Sequence, residues 1–259
     1  MTSMPLPALR LAAVLAVAAA MGGCATPVDT RTIVSDSPSY LNDNFTPMQL
    51  SAAVRSQVEK GEPMAPRFRR IEFRHSVVVE GQGNRYEVQA NTTLTNLGNG
   101  YVQQRTEYAR NDLAYRVNLA LSFAGIHLLR SQTTFLERAS AQQPLEIKEL
   151  IRFDRGLGNP KPGQSYVMEA RLGTAPQLMG FTYEKRTCTA GQPVPASVLM
   201  LELQGTAIPL ECVKTGENGV VINKMKFVWL PDLGVGFQTD YVSARETSLY
   251  TLHSINVTR

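Results

Sequence analysis

Beyond Pro66 the chain alternates between apolar and polar positions. Ile71, Phe73, His75, Val77 and Val79 fall on one side of an extended segment, with Glu72, Arg74, Ser76, Val78 and Glu80 on the other. A period of two predicts a strand with one buried face. Gly81-Gln82-Gly83 turns the chain into a second such segment, in which Tyr86, Val88, Ala90, Thr92 and Leu94 share a face. Leu97-Gly98-Asn99-Gly100 leads into Tyr101–Tyr108. Asn111-Asp112 then leads into Leu113, Tyr115, Val117, Leu119, Leu121 and Phe123 on one face. Successive hairpins of this kind predict an antiparallel meander.

The middle of the chain is less regular. Leu128–Leu136 and Leu145–Phe153 are strand candidates, although Glu146, Lys148 and Glu149 also suit a helical turn over Leu145–Ile151. The Gly- and Pro-rich stretch at 155–164 is a loop and the candidate internal boundary. Further strands are expected at Tyr166–Leu172, Phe181–Cys188, Val198–Leu203, Ala207–Lys214, Val220–Leu230, Val235–Ala244 and Ser248–Val257. In all, roughly ten to thirteen strands are expected. Before them, Thr46-Pro47-Met48-Gln49 carries helix-start residues, and Leu50, Ala53, Val54 and Val58 follow at helical spacing. One short helix, Pro47–Lys60, is therefore predicted, closed by Gly61.

The first twenty-three residues form an export signal. Arg10 precedes an unbroken apolar run, Leu11–Ala20, that is too short to span a bilayer and ends in small residues. Met21-Gly22-Gly23-Cys24 resembles the lipobox of bacterial lipoproteins. That resemblance implies cleavage before Cys24, acylation of Cys24 (palmitate among the acyl chains), and retention at the outer membrane, since Ala25 replaces the Asp that retains such proteins at the inner one. Acylation would use the odd cysteine and leave Cys188 and Cys212 to pair as a structural disulfide in an oxidising periplasm. Residues 24–45, rich in Ser, Thr, Asp, Asn and Pro, are expected to be a flexible tether, and residues 46–259 a β-rich periplasmic domain.

The formal net charge of +4 over 259 residues is small and dispersed, which argues against nucleic acid. Arg67, Arg69, Arg70 and Arg74 cluster, on a face read as solvated. His75, His127 and His253 lie far apart, with no metal-ligand spacing. No nucleophile elbow or Ser-x-x-Lys pair is present. Neither an enzyme nor a cofactor or metal is expected.

The last three strand candidates gather Met225, Phe227, Trp229, Phe237, Tyr241 and Tyr250. They form either core or the wall of an apolar site for a hydrophobic ligand or partner strand. The run from Gly205 through Cys212, Phe227–Leu230 and Pro231–Gly234 is similar in pattern to periplasmic β-meander lipoprotein domains of uncharacterised function. It implies a mainly β fold: an antiparallel meander forming an open barrel or curved sandwich, with one short N-terminal helix. The expected role is non-enzymatic, a binding or assembly factor that holds an envelope protein partner. The alternatives are a carrier of lipid or an acyl chain in a β cavity and, third, an envelope hydrolase.

Overall fold

The computed structural model describes residues 30–64, 67–137 and 140–259. The expected meander is present. Strands β1 (Arg70–Gly81), β2 (Asn84–Gly98), β3 (Tyr101–Arg110), β4 (Leu113–Phe123) and β5 (His127–Phe135) each run antiparallel to the next. The β1–β2 and β3–β4 turns have two central residues each, all at positive φ: Gln82 (50°) with Gly83 (78°), and Asn111 (50°) with Asp112 (62°). That backbone matches the twist of the flanking strands, and Gly, Asn and Asp tolerate it best.

The second half continues the sheet with β7 (Leu145–Phe153), β8 (Ser165–Thr174), β9 (Thr182–Ala190), β11 (Thr206–Thr215), β12 (Val221–Leu230), β13 (Val235–Ser243) and β14 (Thr247–Thr258). Two-residue strands β6 (Ser140–Ala141) and β10 (Val194–Pro195) lie outside this ring, on β5 and β11. Strand β14 returns to pair with β1, and β9 pairs with β11, so twelve strands form a closed barrel. The open barrel or curved sandwich expected from the sequence is corrected accordingly. Closure gives the N–H and C=O groups of both prospective edge strands partners, from Leu210 opposite Ala190 to Thr215 opposite Lys185. Within that seam Cys188 and Cys212 face each other directly and are disulfide-bonded, with Cα atoms 3.9 Å apart. The 155–164 loop joins β7 to β8, which pair along their length.

The N-terminal region differs from expectation. Of the stretch expected to be a flexible tether, residues from Thr30 onward are helical: α1 (Thr30–Ser35) and α2 (Ser37–Asn44), the latter capped by Asp36, which accepts a hydrogen bond from Ser39 N. Ile33, Leu41 and Phe45 are buried in the main core. Three apolar anchors thus order a segment whose composition is otherwise that of a linker. The predicted helix 47–60 is also divided. Pro47–Gln49 makes a 3-10 turn, Leu50 turns extended and inward, and α3 (Ala52–Glu59) starts afresh from Ser51, whose Oγ accepts from Val54 N at 3.3 Å. Arg155 donates to the carbonyls of Glu59 and Lys60 and so satisfies the end of α3.

The helices cover one face of β3–β5. Gln103 donates to the carbonyls of Leu41 and Phe45, and the Tyr40 hydroxyl donates to Gln132. Val198–Leu203, expected as a strand, is instead a 3-10 turn (Ala196–Val198) and a loop. Leu199 and Leu203 pack against a second core cluster around Ile71, Leu94 and Phe237, while Val198 and Leu201 stay exposed.

Candidate ligand cavity

Inside the barrel lies a cavity of about 500 Å³. Its wall follows from cross-strand register. Phe73, His75, Val77 and Val79 share one face of β1, and they stand opposite or beside Val88, Thr92, Tyr250 and Leu252. On β3 and β4, Thr106 faces Asn118 and Tyr108 faces Arg116, and these four also line the space.

One end is shut. The β4–β5 turn reaches β13, five strands around a ring of twelve from β4, where Gly236 N donates to Ala124 O at 2.9 Å. Ala124 holds a left-handed φ of 58°, fixed from its other side by its own N–H bonding Gly100 O at 2.7 Å. A Cβ on Gly236 would stand 2.5 Å from the Ile126 side chain, so only glycine lets the turn come this close. Phe73 and Phe237, edge to face with centroids 5.1 Å apart, line this lower region with Ile126 and Leu199. Toward the other end Tyr86 and Glu246 are exposed and Tyr115, Arg116 and Lys214 half-buried, which marks the mouth.

Of the residues singled out from the sequence, Met225, Phe227, Phe237, Tyr241 and Tyr250 line the cavity. Trp229 does not. It is buried in the main core, opposite Ile208 and Gly236. Cys188 and Cys212 form the disulfide described above, and Cys24 lies outside the described residues. Sequence reasoning missed Arg116, Asn118 and Ala120, because the apolar face of β4 (Val117, Leu119, Leu121) packs on the helix side of the sheet. Both faces of β4 are covered, so alternation pointed to the wrong one. The only available signal was that Ala120 and Asn118 are uncharged.

Charge inside the barrel is unevenly paired. Glu184 is buried between Lys214 and Arg186, and Arg186 also donates to Ile126 O at 2.9 Å. Burial holds Arg186 below the usual guanidinium range, opposed by Glu184. His75 is buried against Phe73 and Tyr250, and its Nδ1 makes no hydrogen bond among the described residues. Burial, and then the charge of His253, lower its pKa to about 4, so it is neutral at pH 7. The two strand histidines of this wall region differ: His75 is buried, whereas His253 is exposed and bonded to Ser76 Oγ. Burial raises Tyr108 and Tyr250 above the ordinary phenol range, so both keep their protons. Among the described residues no three His, Cys, Asp or Glu side chains converge as metal ligands, and no helix is long and apolar enough to cross a membrane.

No family model matches the chain, and no curated protein matches it. Solved structures similar to it include a DUF1329 family protein from Desulfovibrio piger, with 9% identity, TM-score 0.38, covering 79% of this chain and 90% of that one. A β-barrel-like DUF1849 protein from Brucella abortus has 9% identity and TM-score 0.42, covering 75% of this chain and 100% of that one. A domain from Vibrio parahaemolyticus, provisionally named as an outer membrane lipoprotein-sorting protein domain, has 6% identity and TM-score 0.39, covering 82% and 93%. At these scores the similarities carry no argument about function.

Proposed function

We propose that this chain is a lipid-anchored protein of the cell envelope that binds a hydrophobic ligand inside its barrel and catalyses no reaction. The observation that carries the proposal is the cavity of about 500 Å³, shut at one end, where Phe73, Val77, Val88, Phe227, Phe237 and Leu252 make an apolar side beside polar Thr92, Thr106 and Asn118. Small-molecule sites fall in the range of roughly 300–1,000 Å³ and are mostly apolar with a few placed polar groups. A partner strand is the weaker alternative, because among the described residues barrel closure leaves only the two-residue β6 and β10 outside the ring.

Cys24 would carry the acyl chains at the outer membrane, as the lipobox resemblance implies. Helix α1 begins at Thr30, and the few residues between span at most about 20 Å when extended. The barrel would therefore work close to the bilayer, where lipid is at hand.

One experiment tests anchor and ligand together: mass spectrometry of the protein purified from the envelope, under denaturing and native conditions. The denatured chain should begin at Cys24 with covalent acyl mass. The native protein should carry a further stoichiometric mass that is lost on denaturation. An unmodified Cys24 removes the anchor, and a native mass equal to the denatured one counts against the bound ligand.

A further inference from the structure

At the mouth of the cavity stands a cation without a counter-charge. Arg116, half-buried on β4, faces Tyr108 across the β3–β4 ladder, its guanidinium carbon 3.9 Å from the Tyr108 ring centroid and 5.7 Å from that of Tyr115. Among the described residues no carboxylate lies within ion-pair distance of it. Its Nε is shielded from solvent and makes no hydrogen bond among the described residues. The other cations of the wall, Arg186 and Lys214, share Glu184. The wall's own carboxylate, Glu246, is exposed at the rim.

A guanidinium stacked on a ring face still presents in-plane N–H groups beyond its contact with the Tyr108 hydroxyl, and those groups match a carboxylate or phosphate in two-point geometry. Below Arg116 the wall is mixed: Asn118, Thr106 and Thr92 stand on one side, and Val88, Val77 and Leu252 on the other lead to the Phe73–Phe237 pair. Charge at the rim over a shaft with one apolar side and an aromatic base fits a molecule with one charged end and one apolar tail.

Building on the hydrophobic-ligand proposal, we infer that the ligand is a single-chain anionic amphiphile, its carboxylate or phosphate head paired with Arg116 and its tail directed toward Phe237. Tyr108 positions the guanidinium.

The test is calorimetric titration of the chain from Ala25 onward, which contains every described element. The probes are tetradecanoate, a tetradecyl lysophosphatidate and the uncharged tetradecanol, near pH 8. The wild-type chain should bind both anions about tenfold or more tighter than the alcohol. The tighter of the two anions then distinguishes a free fatty acid from a phospholipid-derived head. R116Q should bring the anions down to the affinity of the alcohol for the same variant, whereas R116K should keep part of the preference. Equal binding of acid and alcohol by the wild-type chain, which needs no variant to fold, overturns the head-group inference alone. Absence of binding by all three probes overturns the hydrophobic-ligand proposal beneath it. A preference that survives in folded R116Q places the head elsewhere.

Discussion

His75 contributes a ring to the cavity wall between Phe73 and Tyr250, where an imidazolium would lose most of its hydration. Its pKa of about 4 in the folded chain, against about 6.5 when unfolded, ties stability to pH. Between those values the unfolded chain binds the extra proton, so this contribution is complete above about pH 6.5 and is lost as the pH falls through 4. The loss is about 3 kcal/mol over that window. Urea unfolding of the wild type and of H75Q at pH 7 and pH 4 measures it, with H75Q expected to remove about that much of the pH dependence. An unchanged pH dependence in H75Q would show that His75 is not the titrating group. His127, fully buried and likewise held neutral, continues to contribute in both proteins.

At the scale of elements, the barrel is only as closed as its seams. Strands β5 and β7 share two directly paired residue positions, supported by the ion cluster of buried Arg130 with half-buried Glu146 and Lys148. The β9–β11 seam instead pairs six positions and is stapled at Cys188–Cys212. A bridge of sequence separation 24 stabilises by roughly 3 kcal/mol in the chain-entropy model. Reduction, or the C188A/C212A pair of substitutions, should lower unfolding free energy by about that amount. Amide exchange should rise first in β9 and β11. Equal exchange everywhere would mean that this seam does not open as a local unit.

The hairpins of the first half were legible because strand, turn and strand are contiguous, and Gln82-Gly83 and Asn111-Asp112 mark their own turns. Closure was not legible, since β9 meets β11 across an excursion through β10 and the 3-10 turn at Ala196–Val198. Nor were α1 and α2, whose order depends on Ile33, Leu41 and Phe45 meeting a surface built from strands far along the chain.

At the scale of the whole molecule, a twelve-strand ring pinched at one end by the β4–β5 turn becomes a cup. One part of its wall, on β12–β14, shows in the sequence as a run of aromatics and methionine. Another part, on β1–β4, lies more than a hundred residues earlier, and only ring closure brings Val88 and Arg116 into one space with Phe237 and Leu252. The central claim is that this space is occupied by an apolar ligand from within. Titration with the uncharged dye Nile red, comparing the chain from Ala25 onward with its V88F variant, tests it most directly. Phenylalanine at 88 adds volume to the cavity wall and leaves the barrel's outer surface unaltered. The account predicts one dye per wild-type chain and about tenfold or more weaker binding in V88F of unchanged circular dichroism. Equal binding by both proteins would put the dye on the outer surface and contradict the claim.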